Sequence, residues 1–353
     1  MLVVSRGDDQ LLVLIGRRAW HFPQNEDGRY SGYHPADSGE ALAYLDASRA
    51  KGAQYLVLAA TAMCGSSKSL SASDAAIIVP CHSGAALTEA CLTALTEALP
   101  RDFRGEIIVV DDASTDDTRE WLERWTKSDK RISVRRHRNN AGFLNACNRA
   151  ANVATRNYLV FLNNDTEPCE GWLTALLDAF RRFPNVGAVG GKPILPDGTL
   201  QEAGSVIFQD GSAANFKRGE IDLESPLINY VREVDYCSGA LLATPRRLFA
   251  ELGGFDEDYR PAYCEDVDYC FKVRQVGQRV YYQPGSKVIL LEGGICGTDV
   301  TRGVKRHQVR NQQTFVERWS AVLDRQPARP PAGAAKAWHE LAEWQDAESL
   351  GSR

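Results

Sequence analysis

The sequence has no Cys-x-x-Cys pair among its nine cysteines, so neither a zinc site nor a disulfide framework is indicated. It has no basic surplus. Against 41 Lys and Arg stand 46 Asp and Glu, a net charge of −5, which excludes a general nucleic-acid binder. It has no apolar run long enough for a bilayer, since stretches such as Tyr55 to Cys64 fall short of the roughly 20 residues a spanning helix needs. It has no leader pattern, because Arg6, Asp8 and Asp9 interrupt the start. Cys81, Cys147, Cys237 and Cys270 lie in or beside apolar stretches and read as small hydrophobes. Reduced thiols point to a cytoplasmic setting. Nothing in the composition opposes peripheral attachment at the inner face of a membrane.

What is present is an ordinary globular balance, 44% hydrophobic and 25% charged, in 353 residues. That length predicts one large domain with additions. Residues 1–64 read as a small N-terminal βαβ unit. Its strands are expected at Leu11 to Ile15 and Tyr55 to Leu58, with a helix between that opens on an Asp37/Glu40 capping box and ends near Gly52. The aromatics around Trp20 and Tyr30 fill its small core. Residues 65–74 read as a linker.

From Ala75 the chain alternates strand and helix. Strands are expected at 75–80, 106–111, 132–136, 158–162 and 186–189, with apolar helix faces between them, such as Leu87, Cys91, Leu92, Leu95 and Leu99. This predicts an α/β fold with a mostly parallel sheet, right-handed crossovers and helices on both faces. Past Gly190 a hairpin is expected at Pro196-Asp-Gly-Thr, then a helix from about Pro245 and another from Glu265 to Val276. Strands at Tyr281-Tyr282 and Val288 to Leu291 and a long helix, Val304 to Leu323, complete a large domain over 75–325. Residues 326–353 read as a linker and a short helix.

Four polar clusters fall after strands or at helix starts: Asp111-Asp112, Asn140 with Gly142, Asn163-Asn164-Asp165, and Glu265-Asp266 with Asp268. In a parallel sheet the first three meet at the carboxyl rim, where open α/β sheets bind ligands. Each also has an ordinary structural use. Asp112 suits a cap, Asn140-Ala-Gly142 a turn, and Glu265 and Asp266 the positive end of a helix. Those uses do not explain all four in this order.

The ordered set does resemble something known. Val79-Pro80, Val110-Asp-Asp-Ala-Ser-Thr-Asp116, Asn139-Asn-Ala-Gly-Phe143, Leu162-Asn-Asn-Asp165, Pro196-Asp-Gly198, Gly253-Gly-Phe-Asp256 and Glu265-Asp-Val-Asp268 resemble the motif series of inverting glycosyltransferase family 2. The likeness covers about residues 75 to 325 and is closest to the rhamnosyltransferase-like branch of bacterial polysaccharide biosynthesis. Residues 1–64 resemble a segment found ahead of such domains in larger glycan-assembly proteins.

The resemblance implies a GT-A fold, a nucleotide-sugar donor, a glycan or lipid-linked acceptor, and Mn2+ or Mg2+. It places Asp165 on the metal and Asp266 as general base, with Glu265 toward the acceptor. Donor contacts fall to Pro80, His82, Asp111, Asp112, Asn140, Gly142, Asn163 and Asn164, with Asn163 in place of the first carboxylate of the usual Asp-x-Asp. One departure stands out. The branch carries a metal-binding histidine where this chain has Leu290. Leucine cannot coordinate, so the alternative is a sugar-nucleotide-binding module that has lost turnover and scaffolds an assembly complex. A pyrophosphorylase ranks lower, because Cys81-His-Ser-Gly-Ala lacks the cations such an enzyme places after its first strand.

Overall fold

The structure is a computed structural model that describes residues 2–4, 20–21, 46–51, 56–58, 70–291 and 303–330. The chain divides into two units, residues 1–68 and 69–353. In the first, β1 (Leu2–Val4), β2 (Trp20–His21) and β3 (Leu56–Leu58) form a parallel sheet in the order β2-β1-β3, and residues 46–50 are helical. The segment Leu11 to Ile15, the capping residues Asp37 and Glu40, and the expected last helix lie outside the described residues. The sequence reading missed β1 and β2, because two or three residues are too few to show an alternating pattern.

The second unit begins with the expected alternation. β4 (Ala75–Cys81), β5 (Glu106–Asp111), β6 (Ile132–Arg136) and β7 (Tyr158–Leu162) are separated by α1 (Ala85–Ala98), α2 (Thr118–Ser128) and α3 (Phe143–Val153). β8 (Thr166–Pro168), α4 (Trp172–Arg182) and β9 (Val186–Ile194) follow. Then come the short strands β10 (Ser205–Ile207), β11 (Ala213–Asn215) and β12 (Arg232–Glu233). The unit closes with β13 (Leu241–Pro245), α5 (Arg246–Glu251), α6 (Glu265–Gln275), β14 (Arg279–Leu290) and α7 (Gln308–Leu323).

The main sheet runs β12-β14-β9-β13-β7-β4-β5-β6, with β8 on β14. β4 pairs in parallel with β5 and β7, β5 with β6, and β9 with β14. β13 is antiparallel to both β7 and β9, and the short strands β8 and β12 are antiparallel to β14. For β13 the cause is the route of the chain. β9 leaves the sheet at the carboxyl rim, and β13 re-enters there, with Leu241 opposite Leu162. Its first residues therefore stand beside the loop that follows β7. The two late strands foreseen from sequence are one strand, β14, whose pairing with β9 shifts register between Tyr282 and Lys287.

Buried strands present alternate residues to two cores. Ile78, Val110, Phe161 and Leu242 pack on one face with α3, α6 and α7. Ile77, Val109, Val160 and Ala243 pack on the other with α1 and α4. Phe315 and Trp319 of α7 meet Phe271 of α6, with ring centroids 5.0 and 5.4 Å apart. Cys81, Cys147, Cys237 and Cys270 are buried free thiols, as their apolar neighbours in sequence suggest. Among the described residues no helix is long and apolar enough to cross a membrane.

Candidate functional site

The rim of the sheet is built first of all by carboxylates that hold backbone. Asp111, at the end of β5, accepts a hydrogen bond from Ser114 N at 2.8 Å and ion-pairs with Arg136. Asp112 meets His137 Nδ1 at 2.7 Å and accepts from Ala141 N at 2.9 Å and Gly142 N at 2.8 Å. It thereby folds the Asn140 to Gly142 loop against the end of β5. Asn140 Oδ1 closes the turn by accepting from Gly142 N at 3.1 Å. Gly142 has φ 86°, and a Cβ there would stand 2.7 Å from the Pro261 carbonyl oxygen. Glycine is thus required twice, for its dihedral and for the approach of the 261 loop.

Of these, Asp112, Asn140, Gly142 and Pro261 line a cavity of about 180 Å³. Pro80, His82 and Asp112 come from the ends of β4 and β5, Asn140 and Gly142 from the loop before α3. Asn163, Asn164 and Asp165 come from the loop after β7, and Pro261 and Ala262 close one side. Asp111 does not line it, since its carboxylate faces Arg136 and Ser114. Asn164 donates to Thr88 Oγ1 at 2.8 Å and so ties the loop to α1. Asn163 Oδ1 is buried and has no hydrogen-bond partner. Asp165 is buried, and its carbonyl accepts from Leu291 N at 2.9 Å. Leu290 pairs with Thr166 across β8 and β14 and is 6% exposed. It stands beside the Asp165 loop and offers it no ligand. Among the described residues no group of three or more His, Cys, Asp or Glu is placed to hold a metal ion.

Asp266 lines a second, larger cavity of about 380 Å³. It sits in the first turn of α6, where Oδ2 accepts from Gly239 N and Oδ1 from Val267 N, each at 2.8 Å. Burial raises its pKa above the usual aspartate value. Glu265 is buried, and its Oε2 lacks a partner. Burial, and then the charge of Asp266, push its pKa well above the glutamate norm. Glu265 lines neither cavity. Asp268, in the same first turn, is fully buried and structural. It receives Tyr259 Oη at 3.0 Å and Trp319 Nε1 at 2.9 Å and pairs with Lys272 and Arg318.

The two cavities share a frame. Asn163 N donates to Ala240 O at 3.0 Å, while the preceding residue, Gly239, donates to Asp266. The Asp165 loop and Asp266 are thus fixed to adjacent residues of one segment. Pro261 and Ala262 line the first cavity, and Tyr263 and Cys264 line the second. Asn311 of α7 holds this stretch by donating to the carbonyls of Tyr259 and Ala262 at 2.6 and 2.8 Å. Sequence reasoning missed Gln201, Glu202, Ser238 and Asn311. The first three lie where no periodic pattern marks them, and Asn311 sits inside an amphipathic helix whose polar positions look solvated.

Residues 76–224 match the family model for glycosyl transferase family 2. A curated relative from Sinorhizobium fredii, "Uncharacterized protein y4gI", is 31% identical over 64% of this chain and 25% of its own length. The O-antigen biosynthesis protein RfbC of Myxococcus xanthus is 33% identical over 40% of this chain and 11% of its own length. The chain thus spans a quarter or less of these relatives. A crystal structure of GalNAc-T7 with UDP, GalNAc and Mn2+ aligns with a TM-score of 0.55 and 18% identity, over 69% of this chain and 47% of that one. At that identity the likeness speaks for the fold. Residues 76–224 thus carry the match to glycosyl transferase family 2, on a mostly parallel sheet of the GT-A type.

Proposed function

We propose that this chain moves one sugar from a nucleotide-sugar donor to a hydroxyl of a glycan or lipid-linked acceptor, with inversion at the anomeric carbon. The observation that supports the reading is that the loop of Asp165, which lines one cavity, and Asp266, which lines the other, are hydrogen-bonded to the adjacent residues Ala240 and Gly239. In this reading the first cavity takes the nucleoside diphosphate. Pro80, His82, Asn140, Asn163 and Asn164 touch it, while Asp111 and Asp112 act as positioning residues through the loops they hold. Asp266 takes the proton of the attacking hydroxyl, and burial, which raises its pKa, makes its carboxylate a stronger base.

Asp165 and the unpaired amide oxygen of Asn163 are hard oxygen donors on one wall, and they fit Mn2+ or Mg2+. When bound, such an ion offsets the charge that grows on the departing diphosphate. The related fold was crystallised with UDP and Mn2+, in keeping with this assignment. The biological setting in this reading is surface-polysaccharide assembly at the cytoplasmic face of a membrane, beside other glycan-synthesis domains. The likeness to part of an O-antigen biosynthesis protein supports it.

The test is turnover. Incubation with Mn2+ and a panel of UDP-, GDP- and dTDP-sugars should release nucleoside diphosphate. Asp266→Asn should lower that rate by about 10²–10⁴-fold while donor binding is kept. A fully active Asp266→Asn variant would remove Asp266 from the mechanism. One observation favours a second reading. With Leu290 at the family's histidine position, the chain would be a nucleotide-sugar-binding module without turnover. Calorimetric donor binding with no product, and product restored by Leu290→His, would establish that alternative.

A further inference from the structure

Gln201 and Glu202 belong to no motif named above, yet both are buried and both line the second cavity. Gln201 is 7% exposed, and its Oε1 has no hydrogen-bond partner. A buried acceptor left unpaired costs free energy, which a hydrogen-bond donor arriving from outside recovers. Glu202 is 3% exposed. Its Oε1 accepts from Ser238 N at 3.2 Å, and the next amide, Gly239 N, donates to Asp266 at 2.8 Å. Consecutive peptide N–H groups therefore hold two carboxyls on one wall. Among the described residues lining the cavity there is no lysine or arginine, and the remaining polar groups are amides and hydroxyls such as Asn215, Gln308 and Ser212. Its volume of about 380 Å³ suits a small ligand.

We propose that this cavity is the acceptor subsite, that Gln201 and Glu202 determine its specificity, and that it selects an uncharged, hydroxyl-bearing glycan end over an anionic one. The proposal rests on the reading of Asp266 as the base of a glycosyl transfer. Sugar hydroxyls supply the O–H donors that Gln201 Oε1 and the Glu202 carboxylate accept. A uronate or phosphate would bring a further negative charge beside Asp266 and Glu202, with no lysine or arginine among the described lining residues to meet it. The charged and titratable neighbours of Glu202 are Asp266, Arg218, Tyr236, Tyr282, Cys237 and Cys270, and Arg218 does not line the cavity.

Saturation-transfer NMR on the full chain at pH 8 tests this. The probes are methyl glycosides of glucose, galactose, N-acetylglucosamine and rhamnose, together with methyl glucuronide and galacturonide. At least one neutral glycoside should bind. Its affinity should fall about fivefold or more in Gln201→Ala, the loss of one hydrogen bond, and also in Ala213→Trp, which narrows the cavity. The matching uronate should bind at least about tenfold more weakly, and Glu202→Gln should shrink that gap. The proposal is overturned if no neutral glycoside binds, if both cavity variants bind it unchanged, or if uronates bind equally well. Binding of UDP, GDP and dTDP in the same samples reads the transferase hypothesis separately. Its loss with glycoside binding intact counts against the donor site and leaves the subsite standing.

Discussion

Glu202 is a buried acid whose chemistry departs from its free form. Burial lifts its pKa from 4.5 to about 7, against the pull of Ser238 N and Ser205 Oγ. An acid with a raised folded-state pKa stabilises the native state below its unfolded pKa, and that contribution disappears as pH rises through the folded value. For Glu202 the window runs from about 4.5 to 7, and the shift corresponds to about 3 kcal/mol. Glu202→Gln should therefore gain thermal stability relative to wild type between pH 5 and pH 8, by melting curves at both pH values. A constant difference would show that Glu202 stays charged throughout. Asp266 carries a related expectation. The acid limb of kcat/KM should lie above the ordinary aspartate range and vanish in Asp266→Asn, measured with any donor that turns over.

At this scale the sequence was partly legible. Asp165 and its neighbours show themselves because an apolar strand turns abruptly polar. Glu202 does not, because its burial comes from the chain's return through residues 195–240 and not from anything local. The role of Asp112 was legible only by half. The residue is at the rim as expected, but an imidazole and two backbone amides occupy its carboxylate.

Among the elements, β13 and the pair α6 and α7 shape the site. β13 enters from the rim and brings Gly239 and Ala240 between the Asp165 loop and Asp266. Simple strand and helix alternation cannot foresee this reversal, since it depends on where β9 ends. α6 is fixed within its first turn both by Asp266 and by Asp268, which is joined to Tyr259, Trp319, Lys272 and Arg318. Asp268→Asn would remove the fully buried charge of a network in which Lys272 and Arg318 still pair with Asp256. It should cost about 1–3 kcal/mol in denaturant unfolding. An unchanged midpoint would mean that the network contributes nothing. Asn311→Ala should act differently. It frees the carbonyls of Tyr259 and Ala262 at the wall between the cavities, so donor KM should rise with a smaller loss of stability. The helices themselves were readable from apolar spacing, as Phe315 and Trp319 on one side of α7 illustrate.

On the scale of the whole molecule, the chain joins a small parallel unit to a larger one that carries the family match. It spans a quarter or less of the length of the curated relatives described above. The class of the fold was legible because fully buried parallel strands and amphipathic helices leave strong, regular patterns. The central claim is that Asp165 and Asp266 serve one reaction from adjoining cavities. A crystal of the chain grown with nucleoside diphosphate and Mn2+, measured at the manganese edge, tests it most directly. The anomalous peak should lie against Asp165 in the first cavity, with the diphosphate beside it and its leaving oxygen toward the Asp266 side. A peak elsewhere, or a diphosphate bound away from the Asn163 to Asp165 loop, would contradict the account.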